Sequence, residues 1–406
     1  MAPIRYRCTV LALLTMLILL SSNSYGAERI KLLALSKNTR FSSLNYCFES
    51  EPAVDFSIVL SRHTQLDDSE VLKMIRLYFP RTYEDFRTYD VLILACPTYN
   101  LFTTKQDKWI HDSIAEGAGG LNDGSVYSQH LYIAAAWSSG MAWQAFPNDA
   151  PTVTAKYGGW APTQYYIVDV NEDARYPVLS VFIPYGVEEY VVPQISRLVI
   201  PRPGSEVLAT MIGNYPKEEA YLTGWEYEEG RAMTLAGLFP GGWFNYRRNK
   251  YSPEMVMNMV FWLSGTPLID DIEVYHRMKA GFSEFKRRIE SLISLKEFID
   301  RFGANTNAID EEIIALQEIY SESAAHYLEH EFVKSEEVIN SALDRFPEAE
   351  ELARREKEKA LFWVYVIEWL VSSSAFFISG FVLWTLMVRR RLYRAVRTTK
   401  LRSEEA

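Results

Sequence analysis

The chain has 406 residues, of which 48% are hydrophobic and 23% charged, and its formal net charge is −10. Such an acidic chain lacks the basic surface that nucleic-acid phosphates require, which excludes nucleic acid from the expected partners. Its three cysteines, of which Cys8 lies in an N-terminal apolar segment, are too few for a disulfide framework.

The N-terminal residues have the pattern of a secretory signal peptide. Arg5 and Arg7 precede an apolar run, and small and polar residues follow it up to Ala27. We therefore predict a signal peptide over residues 1–27, which exports the chain from residue 28 onwards. An uncleaved membrane anchor is the alternative interpretation of this segment.

Strands and helices alternate in the part of the chain that follows. Continuous apolar runs predict strands that are buried on both faces. These predicted strands are 30–35, 54–60, 90–96 and 131–137. Apolar residues at helical spacing predict a helix over 69–79, and Thr103 or Thr104 predicts the start of a second helix that ends on glycines. The alternation predicts a parallel sheet with helices on both sides.

The next hundred residues are richer in strand patterns. The strands predicted there are 165–170, 179–183, 206–212 and 231–238. Residues 252–264 predict a helix with Ser252 as its N-cap and Pro253 at its first position. Together these elements predict an α/β domain over residues 28–265.

The order of these elements resembles a known superfamily. The segment TYDVLILACPTYN, a helix ending in EGAGG and a strand leading into WSSGMAWQAF resemble the class I glutamine amidotransferase-like proteins. The later segment YLTGWEYEEGRAMTLAGLFPGGW, with a helix ending in FWLSG, is similar to the closing part of the non-catalytic branch of that superfamily, found in exported and membrane-anchored proteins. The resemblance implies a flavodoxin-like parallel sheet.

The resemblance also implies where a catalytic residue would lie. In the amidotransferases a cysteine in a sharp strand-to-helix turn is activated by a histidine and a carboxylate. The corresponding turn is predicted at 136–140, and it contains Ser138 and Ser139 but no cysteine. Both serines are nucleophile candidates, although the turn lacks the G-x-S-x-G pattern and no histidine occurs between His130 and His276.

Cys96 is the other candidate nucleophile. It ends a predicted strand, and ligands of α/β proteins bind at the carboxyl ends of parallel strands. A reactive thiolate needs a cationic or imidazole neighbour. We expect His130 at the opposite edge of the sheet and His111 in the middle of a helix, which favours a small buried apolar role for Cys96.

Because none of these candidates has an evident catalytic partner, we predict that the same edge binds a ligand. The predicted ligand-binding residues are Tyr99, Asn100, Ser138, Ser139, Gly140 and Trp243. An aromatic rim for a sugar or peptide is an alternative to plain core packing for Trp160, Trp225, Trp243 and Tyr246. The acidic segment from Asp169 to Asp173 lacks the glycine and distal glutamate of a calcium loop. We predict no metal site and no cofactor there or elsewhere, since no P-loop or dinucleotide motif occurs.

Residues 266–360 have apolar positions at helical spacing, with charges of both signs between them. Gly303 predicts the end of one helix, and Asn305 or Thr306 predicts the N-cap of a second. Pro347 is predicted to lie in the first turn of a last helix. We predict an antiparallel helical bundle that acts as a stalk. A helical extension packed on the sheet domain is the alternative.

Residues 361–388 predict one transmembrane helix. They contain a single charge, Glu368, and a bilayer core needs about 20 apolar residues. The basic tail, residues 389–406, is expected to stay in the cytoplasm by the positive-inside rule. A buried helix of a soluble protein is the alternative.

The sequence thus predicts a single-pass membrane protein whose exported amidotransferase-like domain binds a ligand or partner without catalysis. One alternative is an extracytoplasmic hydrolase that uses Ser138, Ser139 or Cys96. Another is a structural subunit of a membrane complex. The expected partners are membrane lipid and a protein bound through the stalk or the transmembrane helix.

Overall fold

The structure is a computed structural model that describes residues 28–36, 47–48, 51–63, 65–95, 97–122, 140–149, 166–192, 200–212, 219–236, 249–303 and 305–402. The predicted signal peptide and the predicted strand at 131–137 lie outside these residues. The chain divides into two compact units. The first comprises Met1–Ser283 and Ser321–Asn340, and the second comprises Glu284–Tyr320 and Ser341–Ala406.

The first unit is built on a mixed sheet of nine strands. They are β1 (Ile30–Ser36), β2 (Val54–Leu60), β3 (Val91–Ala95), β4 (Gly119–Asn122), β6 (Tyr166–Val170), β7 (Glu189–Val192), β9 (Glu206–Ile212), β10 (Glu219–Tyr227) and β11 (Gly230–Leu235), while β5 (Asn148–Asp149) and β8 (Ile200–Pro201) form a separate pair. The order in the sheet is β2-β1-β3-β4-β11-β10-β9-β6-β7.

The first five strands in this order are parallel. Their order, β2-β1-β3-β4-β11, confirms the predicted α/β domain with a mostly parallel sheet. The other four strands pair antiparallel, which the predicted parallel sheet did not include. The direction changes at β10 and β11 because a two-residue turn, with Glu228 at a φ of 50°, reverses the chain. A parallel connection needs a far longer crossover.

Helices cover both faces of the sheet. The helices of the α/β part are α1 (Asp68–Tyr78), α2 (Tyr83–Phe86), α3 (Thr104–Ala115) and α4 (Ser252–Ser264). α1, α3 and a 3₁₀ helix at Ala142–Ala145 share one hydrophobic core with the sheet. α4 packs on β3, β4 and β11. Neighbouring residues of a strand point to opposite faces, so β4 contacts both layers.

The glycines of β4 allow this close packing. The sequence predicted that they end α3, whereas the helix ends at Ala115 and the glycines continue into a strand. A Cβ on Gly119 would lie 2.6 Å from the Cβ of Leu263 in α4. A Cβ on Gly120 would lie 2.5 Å from Cδ1 of Ile114 in α3. A larger residue at Gly119 would push α4 away from the sheet, whereas one at Gly120 would require the end of the Ile114 side chain to move.

Two further predictions about local structure were wrong. The segment predicted as a strand at 179–183 is a 3₁₀ helix, Ser180–Tyr185, which Gly186 ends at a φ of 80°. Ser252 does not cap α4: the cap is Tyr251, and the Ser252 hydroxyl donates to the Asn249 carbonyl oxygen at 2.8 Å. Both errors come from patterns that suit two conformations equally well.

Three long helices follow. They are α5 (Ile272–Asp300), α6 (Asn307–Leu328) and α7 (Phe332–Arg402). Gly303, at a φ of 70°, lies between α5 and α6 where the sequence predicted the end of a helix. Each helix contributes residues to both units. Residues 266–283 and 321–340, predicted to belong to the stalk, are thus grouped with the sheet.

Pro347 lies inside α7 and does not begin a new helix, contrary to the prediction. A proline has no N–H, so the carbonyl of Leu343, four residues earlier, loses its helical partner. Nη1 of Arg288 in α5 donates to that carbonyl oxygen at 3.2 Å. This side chain satisfies the freed acceptor, and the helix continues through the proline.

Among the described residues, α7 is the one helix long and apolar enough to cross a membrane. Ala360 is its last buried residue with a described side chain. Large apolar side chains beyond it are exposed, including Phe362, Trp369, Phe377 and Trp384. The covered part of α7 therefore ends where the sequence predicted the transmembrane segment to begin.

Candidate functional site

The carboxyl ends of β1, β2 and β3 are joined at one edge of the sheet. Ser61, just after β2, donates its N–H to the carbonyl oxygen of Ser36 at 2.9 Å. Thr98, just after β3, donates its N–H to the carbonyl oxygen of Ser61 at 3.0 Å. We call this region, defined by Ser36, Ser61 and Thr98, the carboxyl-edge site.

The chain topology supports the choice of this edge. From β1 the chain continues to β2 on one side, and from β3 it continues to β4 on the other side. Open α/β sheets bind ligands at such a switch point, where diverging connections leave a crevice. The carboxyl-edge site lies at this position.

A buried carboxylate positions the segment that follows the predicted catalytic turn. Asp107, in the first turns of α3, is 2% exposed. Its Oδ2 accepts the N–H of Met141 at 2.7 Å, and its Oδ1 accepts the N–H of Ala142 at 3.4 Å. Free N–H groups at a helix start are partial positive charges, which a carboxylate stabilises. Asp107 thus holds the start of the 3₁₀ helix against α3.

Positive and aromatic groups hold the other end of this 3₁₀ helix. Nη1 of Arg202 donates to the carbonyl oxygens of Gln144 and Phe146 at 3.0 and 3.2 Å. Nε1 of Trp225 donates to the carbonyl oxygen of Ala145 at 3.0 Å. The charges match the dipole at both ends, so the segment has a fixed position beside the sheet.

The structure describes some of the predicted site residues. Asn100 is exposed in the 3₁₀ turn Tyr99–Leu101, between β3 and the start of α3. Gly140 is buried and directly precedes Met141, which binds Asp107. The backbone of Tyr99 is in the same turn. The remaining predicted site residues lie outside the described part of the chain: Cys96, Ser138, Ser139 and Trp243.

His63 lies at this edge, where the sequence predicted no imidazole. It follows Ser61 by two residues and is half-buried. Its Nδ1 lies 3.1 Å from the N–H groups of both Gln65 and Leu66 and must accept from them. The proton of the neutral ring therefore sits on Nε2, so in this arrangement His63 presents an N–H donor there and cannot act as a base. Its position just after an apolar strand was the available signal.

A second histidine has a carboxylate partner. Nδ1 of His276 in α5 lies 2.8 Å from Oε1 of Glu254. Glu254 is 2% exposed and is the one charged residue of α4. A carboxylate inside an otherwise buried helix was the signal that could have identified this pair. The pair fixes the imidazole ring and leaves its Nε2 for another partner.

A buried ionic cluster lies in the same unit. Nζ of Lys279 is 3.1 Å from Oε2 of Glu51, and the hydroxyl of Tyr327 donates to Oε1. Tyr275 adds a hydroxyl at 3.3 Å from Oε2 of Glu51 and 2.6 Å from the hydroxyl of Tyr327. Burial lowers the pKa of Lys279, but the carboxylates of Glu51 and Glu254 outweigh it and raise the pKa overall. The cluster connects the segment before β2 to α5 and α6.

Cys47 is a free and fully buried cysteine near this cluster. Burial raises the pKa of its thiol to about 12, against a smaller lowering by Lys279. A thiol at that pKa is not ionised near neutrality, so Cys47 is not a nucleophile.

Two other polar groupings are weaker candidates. A cavity of about 230 Å³ at the amino edge of the sheet is lined by residues that include Arg87, Asp90 and Ser264. It is smaller than most small-molecule sites. His326 and Glu331 belong to one possible metal-ligand group within the described chain. Glu331 already accepts from His326 and from Nζ of Lys334, each at 2.8 Å, so its oxygens have partners.

The sequence matches no protein-family model and no curated protein. Solved structures similar to it include the cytoplasmic protein STM1381 of Salmonella typhimurium LT2, at 16% identity and a TM-score of 0.43, over 57% of this chain and 99% of that one. The cytoplasmic protein STM3548 of Salmonella typhimurium is similar at 14% identity and a TM-score of 0.43, over 57% of this chain and 98% of that one. A beta-galactosidase of Bacillus circulans sp. alkalophilus is similar at 12% identity and a TM-score of 0.34, over 60% of this chain and 32% of that one. All three similarities are distant.

Proposed function

We propose that this protein is a single-pass membrane protein that displays an amidotransferase-like α/β domain outside the cytoplasm. In this proposal the domain binds a ligand or a partner at the carboxyl-edge site and does not catalyse a reaction. The helices between the sheet and the membrane form the stalk, and the basic tail stays in the cytoplasm.

The exposed apolar part of α7 is the observation that carries the membrane proposal. Folding leaves its large side chains uncovered from Phe362 onwards, which is unfavourable in water and favourable in lipid. Arg389, Arg390 and Arg391 follow immediately, as expected at the cytoplasmic end of a span.

The chemistry of the described carboxyl edge supports binding over catalysis. Ser36 and Ser61 are buried, and the N–H of Ser61 donates to the carbonyl oxygen of Ser36. Nδ1 of the half-buried His63 accepts from Gln65 and Leu66, which leaves the N–H at Nε2 as its donor. Within the described residues this edge offers hydrogen-bond groups but no nucleophile beside a base, which covalent catalysis would need. The exposed amide of Asn100 and the N–H of His63 suit a polar ligand.

Membrane orientation is tested by adding protease to sealed cells. We expect digestion of the α/β domain and protection of the tail, detected with antibodies to each part. Protection of the domain with exposure of the tail would reverse the orientation and end the proposal.

Ligand binding is tested with intact protein purified from its native membrane in mild detergent. We expect a molecule that co-purifies with the wild type and is lost in Asn100→Ala and His63→Ala. Arg87→Ala, at the opposite edge of the sheet, is the matched control and should retain it. Equal retention in all variants would place binding elsewhere.

The hydrolase that uses Ser138, Ser139 or Cys96 is the second proposal, because the carboxyl-edge site contains an imidazole, His63. It requires Nδ1 of His63 to release the N–H groups of Gln65 and Leu66, so that the ring can accept a proton. It is tested by turnover of glutamine or of an ester by the purified protein, and by serine- and thiol-directed probes. Turnover that Ser138→Ala or Cys96→Ala abolishes would replace the binding proposal with the enzyme.

A further inference from the structure

Two exposed aromatic residues lie at the turn between α5 and α6. Phe298, on the last turn of α5, is 37% exposed, and Phe302, just after the helix, is 42% exposed. Their rings are 4.9 Å apart in an edge-to-face arrangement. Gly303 then turns the chain into α6. We call Phe298, Phe302 and Gly303 the hairpin tip, and all of it belongs to the second unit.

The hairpin tip lies beside the part of α7 that precedes the apolar stretch. Phe285 of α5 contacts Phe346 of α7, with ring centres 5.3 Å apart. Phe298 lies thirteen residues after Phe285 in α5, and Lys357 lies eleven residues after Phe346 in α7. Nζ of Lys357 is 5.7 Å from the centre of the Phe298 ring. The two helices therefore run parallel and advance together at about 1.5 Å per residue.

The same offset places Phe302 level with about residue 361. Ala360 is the last buried residue among the described side chains of α7, and Phe362 is 62% exposed. The exposed rings of the hairpin tip and the first exposed rings of α7 thus lie at one height along the helix axis. Arg301 at the tip and Lys357 on α7 add cationic side chains near this height.

From this geometry we infer that the hairpin tip is a second membrane contact, which inserts Phe298 and Phe302 into the outer interface of the bilayer. Aromatic rings are favourable at that depth, and cationic side chains there meet lipid phosphates. The inference rests on the proposed membrane span of α7. It makes the stalk stand on the membrane at two points, α7 and the hairpin tip.

The test uses the full chain, with Cys96→Ala, reconstituted in lipid bilayers. An environment-sensitive dye is attached at Phe302→Cys, at Ile314→Cys as the control, or at Phe377→Cys as the reference. Ile314 is an exposed apolar residue of α6 in the same unit, further from the tip. Quenching by nitroxide-labelled lipid is then measured, and buried Cys47 should remain unlabelled if the variants are folded.

We expect quenching at 302 and 377 and none at 314. Quenching at 377 without quenching at 302 would overturn this inference and leave the span intact. Equal quenching at 302 and 314 would also overturn it, because the contact would not be specific to the tip. Absence of quenching at 377 would remove the membrane span itself, and this inference with it.

Discussion

At the scale of single residues, Glu51 and Lys279 show how a buried charge is tolerated. Taking two ions out of water is unfavourable, and their attraction compensates only when the remaining hydrogen bonds are made. Tyr275 and Tyr327 supply those bonds, both directed at Glu51. The ion pair and the two tyrosines therefore form one cluster, in which the burial of each charge depends on the hydrogen bonds of the other members.

Replacing one member of the pair should destabilise the protein strongly. We expect Glu51→Gln to lower the free energy of unfolding by roughly 3–5 kcal/mol, because it leaves Lys279 charged and unpaired. Denaturant unfolding of the full chain in mild detergent measures this loss. The double variant Glu51→Gln, Lys279→Met should be less damaging than the single one, and a larger loss in the double variant would contradict the account.

The thiol of Cys47 should be unreactive in the folded protein. Its pKa, raised from 9.0 to about 12, keeps it protonated at pH 8, and burial also blocks access. We expect alkylation of Cys47 only after unfolding, measured by mass spectrometry with and without denaturant. Since the folded-state pKa is the higher one, this thiol stabilises the fold below pH 9, and its contribution is lost between pH 9 and pH 12. Rapid labelling of native protein at pH 8 would contradict this.

At the scale of elements, the continuity of α7 through Pro347 depends on another helix. Arg288 donates to the Leu343 carbonyl oxygen that the proline leaves without an N–H, and its Nε also lies 3.3 Å from Glu350. A helix that would break or kink in isolation is therefore supported by α5.

A double-mutant cycle tests this dependence. We expect Arg288→Met to lower the free energy of unfolding by roughly 1.5–3 kcal/mol, the range for a hydrogen bond to a charged group. In the Pro347→Ala background the helix regains its own N–H donor, so the same substitution should cost less. The ion pair with Glu350 is present in both backgrounds and cancels. Equal losses in the two backgrounds would show that the carbonyl contact has no special role.

At the scale of the whole molecule, the part of α7 beyond Ala360 contributes no buried large side chain among the described residues. A chain that ends at residue 360 should therefore stay folded and leave the membrane fraction, with a thermal midpoint close to that of the full chain. A chain that lacks only residues 389–406 is the control and should remain in the membrane. Fractionation and thermal unfolding measure both outcomes. Unfolding of the shorter chain would mean that the span supports the fold.

The sequence by itself determined the features that depend on local pattern. The strands at 54–60 and 206–212 and the helix at 252–264 have the predicted bounds, because apolar runs, helical spacing and a proline in the first turn are signals within a few residues. The long apolar segment of α7 is equally local, since it depends only on length and composition.

Tertiary structure decided everything that depends on a distant partner. A glycine is needed at position 119 because α4 and β4 approach closely there, and Pro347 is tolerated because Arg288 reaches the carbonyl that the proline leaves free. Tyr275 and Glu51 are 224 residues apart in the chain and 3.3 Å apart in the fold. Local patterns carry no information about such contacts, because the free energy of a buried polar group is set by whichever partner the packing brings to it.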